Sequence, residues 1–225
     1  MAKRIPLKKR EMPSYTKGEE IFNMVSHITG GALGIAALVL CIVRAAIHHN
    51  VWGVVSGAIY GTTLIVLYCM SSIYHGLSPR LTAKRVFQVL DHCAIFLLIA
   101  GTYTPMCLGP LREHTPWLGW TIFGVIWGMA ALGITLNGID LKRYKVLSMI
   151  SYLGMGWCII FTAKLLPVLL GTAGLWFLVL GGIAYTLGAV LFALGKHRRW
   201  LHSVFHLFVL AGSILHFFCI FFHVM

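Results

Sequence analysis

Acidic residues are scarce in this chain: Asp and Glu together number six among 225 residues, and charged residues of both signs reach only 11%. A soluble domain of this size is usually about a quarter charged, so an ordinary water-soluble fold is excluded. No two of the six cysteines (Cys41, Cys69, Cys93, Cys107, Cys158, Cys219) form a CxxC pair. A small disulfide scaffold is therefore excluded, and an apolar content of 59% excludes a disordered chain. No repeat, heptad or low-complexity tract interrupts the sequence. What remains is a polypeptide whose solvent is not water.

Apolar runs of helix-spanning length, roughly 20 residues each, recur at 25–47, 51–74, 86–108, 117–137, 146–170, 174–194 and 202–224. Asn50, Ser78-Pro79, Gly109-Pro110, Asn137-Gly138 and the segment from Gly171 to Gly174 punctuate them as turns. The expected fold is all-α, an integral membrane bundle of seven transmembrane helices over 25–225, preceded by a basic tail at 1–24. No soluble domain fits in what is left, and no signal peptide is expected. Each cysteine lies in a span, where a free thiol packs as a small hydrophobe. Pro105 and Pro167 are expected to kink the third and fifth helices. Gly30-Gly31, Gly154/Gly156 and Gly181-Gly182 are expected to let helices approach closely.

Lys and Arg number eighteen, for a formal net charge of +12. Fifteen fall on one side of the expected membrane: Lys3, Arg4, Lys8, Lys9, Arg10 and Lys17 in the tail, then three in each of the 2–3, 4–5 and 6–7 connections. Under the positive-inside rule the N-terminus is cytoplasmic and the C-terminus extracytoplasmic. The tail is suited to anionic lipid headgroups. Nucleic acid is not an expected partner, because no basic stripe is interleaved with stacking aromatics outside the spans.

Ionisable residues within a span are costly, which makes each a functional candidate. His202 and His206 are four apart and share a helix face. His75 ends the second span, and Asp91 lies about one turn into the third. A 1.5 Å rise, counted from Arg80, Arg85 and Arg199, places His75, Asp91, His202 and His206 at depths of roughly 7.5, 9, 4.5 and 10.5 Å. Four residues from three helices thus occupy one layer. Three imidazoles with an open position suit a catalytic zinc, which lowers the pKa of a bound water toward neutrality. Asp91 would orient that water or act as general base, and Ser71 would hydrogen-bond the water or a substrate carbonyl. His92 points about 100° away from Asp91 and is assigned a structural role. His48, His49, His114 and His197 are assigned no chemistry.

The run Ser71-Ser72-Ile73-Tyr74-His75, then Asp91-His92, then His202-Ser203-Val204-Phe205-His206 resembles the haemolysin III family. That family sits with the progestin and adipoQ receptors, in a superfamily that includes alkaline ceramidases. The resemblance implies His75, His202 and His206 as Zn2+ ligands, Asp91 holding the zinc-bound water, and Ser71 beside it. The segment Glu20, Asn23, His27 also resembles the family, without making His27 a ligand. The expected function is a zinc-dependent hydrolase acting on a membrane lipid amide or ester, in a bacterial plasma membrane. The alternative is a non-enzymatic sensor, a haemolysin-like pore or a transport protein with structural zinc.

Overall fold

A computed structural model describes residues 12–195 and 198–225. Most of the basic tail, including Lys3, Arg4, Lys8, Lys9 and Arg10, lies outside the described residues, as do Lys196 and His197. Among the described residues there is no strand, and seven helices are long and apolar enough to cross a membrane.

Helix α1 is Lys17–Ile47, and it begins eight residues earlier than the apolar run predicts. The cause is a capping box. Thr16 Oγ1 accepts the Glu19 N–H at 3.3 Å, and Glu19 Oε2 accepts the Thr16 N–H at 2.8 Å. Residues 17–24, expected as tail, are thus two turns of helix. Helix α2 is Val51–Gly76, started by the Asn50 side chain accepting the Gly53 N–H at 2.8 Å. Helix α3 is Thr82–Met106, and it runs through a π-helical turn at Cys107–Leu111 into Arg112–His114. Pro105 lies inside it and Gly109 leaves helical geometry (φ −91°, ψ −112°), so the expected irregularity falls at the far end of the helix.

Helix α4 is Pro116–Asp140, and α5 is Lys145–Trp157 followed by a 3₁₀ run at Cys158–Thr162. The loosening of α5 has a partner. Tyr103 Oη donates to the Gly156 carbonyl at 2.9 Å and accepts the Ile159 N–H at 2.8 Å. Helix α6 is Leu166–Leu194, broken at Gly171, whose φ of 65° only glycine adopts without strain. Pro167 therefore opens α6 at its first turn instead of kinking the fifth helix. Helix α7 is Leu201–His223.

Helix α3 is the innermost: 72% of its most apolar stretch is buried, against 11% for α6. Around it, α1 packs on α2 and α7, α6 packs on α7, and α4 packs on α3. Two apolar clusters fill the interior. One joins Phe96, Met106, Ile126, Met155 and Cys219; the other joins Tyr60, Leu64, Tyr68, Leu98 and Val209. All six cysteines are free thiols, four of them buried. Gly30 faces the Tyr68 ring and Gly181 faces the His216 ring, each too close for a Cβ. Gly154 and Gly156 do otherwise: a Cβ on either meets nothing within 4 Å, so neither serves close helix packing.

Candidate metal centre

The last turn of α2 and the first turns of α7 meet at one end of the bundle. His75 comes from the former, and His202 and His206 come from the latter, one turn apart on one face. All three side chains are buried, with 3%, 8% and 1% of their surface exposed. Their ligand atoms lie within 4.8 Å of one another. His202 Nε2 is 3.4 Å from His75 Nε2 and 3.1 Å from His206 Nε2. Two nitrogens bound to one tetrahedral zinc at about 2.0–2.1 Å stand about 3.3 Å apart. Two of the three separations thus match those of ligands on a common ion, all three lie within 4.8 Å, and the donor set suits a divalent transition metal.

Asp91 is not among the converging ligand atoms. It stands at the margin of the site, where its Oδ2 is 3.8 Å from His92 Nδ1. His92 Nδ1 donates to the Gln88 carbonyl of its own helix at 2.8 Å. Ser71 is 1% exposed and its Oγ has no hydrogen-bond partner among the described residues. Asp91, Ser71, His202 and His206 all line one cavity of about 150 Å³ that opens between α2, α3, α5, α6 and α7. Across shared walls at Thr102, Tyr103, Gly156 and Gly182 a second cavity of about 300 Å³ lies toward the other end of the bundle. Its far walls are Met106, Ile160, Leu166, Leu175, Leu178 and Ile220. A polar end lined by four of the five predicted site side chains thus adjoins an apolar slot, while His75 stands just behind His202 outside the lining.

Several residues close the site from the other side. Glu20 Oε2 lies 2.6 Å from His75 Nδ1, and Glu20 Oε1 accepts from Lys84 Nζ at 2.7 Å. His27 stacks on His206 with ring centroids 3.8 Å apart, yet its nitrogens are not among the converging atoms. Tyr15 stacks on His202 at 4.9 Å and tilts over His75 at 5.6 Å. Burial, followed by the charges of Asp91, Glu20 and Glu19, pushes the Tyr15 phenol well above its ordinary range. Glu19 fastens this segment to the head of α7, accepting the Trp200 N–H at 2.7 Å.

Reading the sequence alone places Asp91 as the sole acid within a span, because α1 is taken to begin at residue 25. Glu19 and Glu20 in fact lie in its first turn. The Thr16-x-x-Glu19 capping-box pattern and the Glu20/Asn23/His27 spacing were the available signals. Lys84 reads as a loop cation, but it is 1% exposed in the first turn of α3.

The comparisons with known proteins agree with this architecture. The family model described as Haemolysin-III related matches residues 15–217. A "Hemolysin-3 homolog" of Bacillus subtilis (strain 168) is 40% identical over 209 residues, covering 93% of this chain and 96% of that protein. A "Hemolysin-3" of Bacillus cereus is 39% identical over 219 residues, 97% of each. The human "Monocyte to macrophage differentiation factor" is 31% identical over 195 residues, 81% of this chain and 78% of that protein. Seven apolar helices and the two Bacillus relatives mark an integral membrane protein of a bacterial plasma membrane. With the matched segment running from Tyr15 over the histidines to Phe217 in the last third of α7, the chain belongs to the haemolysin-III-related family.

Proposed function

We propose that this protein is a zinc-dependent membrane hydrolase that cleaves an amide or ester of a lipid. The observation that carries the reading is the convergence of three buried histidines, His202 Nε2 standing at zinc-like distance from both of the others, beside the polar end of an otherwise apolar cavity. His75, His202 and His206 are the ligands. A bound zinc supplies Lewis acidity and a water activated near neutral pH. A structural zinc usually takes four protein ligands, and among the described residues only three converge, which favours chemistry.

The chain's own groups then divide the work. The apolar slot takes the hydrocarbon of the substrate and brings the scissile carbonyl to the polar end. Ser71 Oγ, buried with no partner among the described residues, donates to that carbonyl. Asp91 accepts the proton of the attacking water and returns one to the leaving amine or alcohol. The stacked Tyr15 and the α1 face exclude bulk water from the opposite side. Under the positive-inside rule this end of the bundle faces the cytoplasm.

The test is incubation of zinc-loaded protein in detergent or liposomes with a panel of lipid amides and esters, followed by mass spectrometry. Release of fatty acid that needs both zinc and Asp91 supports the reading; an inert panel with full zinc occupancy argues against it. The names of the Bacillus relatives favour a second reading, membrane lysis. Dye release from lipid vesicles that survives Asp91→Asn would support it.

A further inference from the structure

Three helices meet behind His75. Glu20 from α1 places one carboxylate oxygen 2.6 Å from His75 Nδ1 on α2 and the other 2.7 Å from Lys84 Nζ on α3. Lys84 also donates to the Leu77 carbonyl at 2.9 Å, and its ammonium lies 5.1 Å from the Tyr74 ring centroid. The lysine is 1% exposed and His75 is 3% exposed. A cation so buried is expensive unless paired, and here it is paired with one carboxylate.

The chemistry of the contact is directional. A carboxylate only accepts hydrogen bonds, and a neutral imidazole carries one N–H. A 2.6 Å contact therefore puts the His75 proton on Nδ1 and leaves the lone pair on Nε2, the nitrogen 3.4 Å from His202 Nε2. We propose that Glu20 is a positioning residue for the metal centre: it fixes the tautomer and ring orientation of His75, and Lys84 holds that carboxylate in place. This rests on the metal-site reading above. A carboxylate behind a ligating histidine orients the ring and raises its basicity, and loss of such a partner costs about 10–100-fold in metal affinity.

Lys84 allows a test that separates this role from simple packing. Removing Glu20 alone would strand a buried ammonium, so both variants also carry Lys84→Met. Glu20→Gln/Lys84→Met keeps an amide oxygen to accept from Nδ1; Glu20→Leu/Lys84→Met does not. Two readouts apply to the full-length protein in detergent. The first is the ¹⁵N spectrum of histidine-labelled, metal-free protein, with His75 assigned by its loss in His75→Gln. The second is zinc affinity by competition with a chelator. The Nδ1–H tautomer is expected in the wild type and the glutamine variant and lost in the leucine variant. Zinc affinity should fall about 10–100-fold further in the leucine variant than in the glutamine variant. Equal affinities in the two variants with an unchanged His75 signal overturn the proposal. A wild type that takes up no zinc while showing the Nδ1–H tautomer overturns the metal reading instead, because the tautomer is read without metal.

Discussion

His202 and His206 hold their Nε2 atoms 3.1 Å apart across one turn of α7. Burial of both rings means that this approach costs desolvation, which a shared ion offsets more fully than one hydrogen bond does. Single substitutions His202→Ala and His206→Ala should each lower zinc affinity by more than about 100-fold, since even the outer partners of ligands cost 10–100-fold. Isothermal titration or chelator competition checks this. A single variant that binds zinc like the wild type removes that histidine from the site.

Asp91 lines the cavity without joining the converging nitrogens, so metal binding and proton transfer should separate at this position. Asp91→Asn is expected to keep its zinc and lose about 10²–10⁴-fold in turnover, the usual worth of a general acid or base. Loss of zinc in this variant would make Asp91 a ligand; retained turnover would pass the proton transfer to another group.

Tyr15 lies ahead of α1 and covers two of the histidines. Ring pairs of this kind contribute about 0.5–1.5 kcal/mol. Tyr15→Ala should therefore speed zinc transfer to a chelator by roughly two- to tenfold, with zinc stoichiometry unchanged. Stopped-flow with a colorimetric chelator measures it, and an unaltered release rate would show that this face does not limit metal exit.

Two glycines should respond in opposite ways. Gly156 borders the cavity and a Cβ there meets nothing within 4 Å, so Gly156→Leu fills the slot at little structural cost. It should shift activity toward shorter acyl chains with zinc content preserved. Gly181 is pressed against the His216 ring, so Gly181→Ala forces α6 from α7. Overpacking of this kind costs about 1–3 kcal/mol. Thermal melting in detergent, beside chain-length profiles, distinguishes the two.

The spans were legible because a membrane demands long apolar runs, and each of the seven helices begins or ends within two residues of its run. The histidines were legible because ionisable groups stand out against such a background, and His202 and His206 share a face by spacing alone. Their partners were not. Glu20 lies 55 residues from His75 and 64 from Lys84, and only the packing of α1 against α2 and α3 brings the three side chains together. Lys84 carries the same charge as the loop cations around it, so burial gives it no mark in sequence. Tyr15 looked like part of the tail until the Thr16–Glu19 capping box moved the start of α1 beneath it.

On the proposed reading, His75, His202 and His206 together hold one zinc. Metal analysis of protein purified without added metal or chelator tests it most directly. About one zinc per chain is expected in the wild type and none in the His75→Ala/His202→Ala/His206→Ala variant. Equal metal content in the two proteins would contradict it.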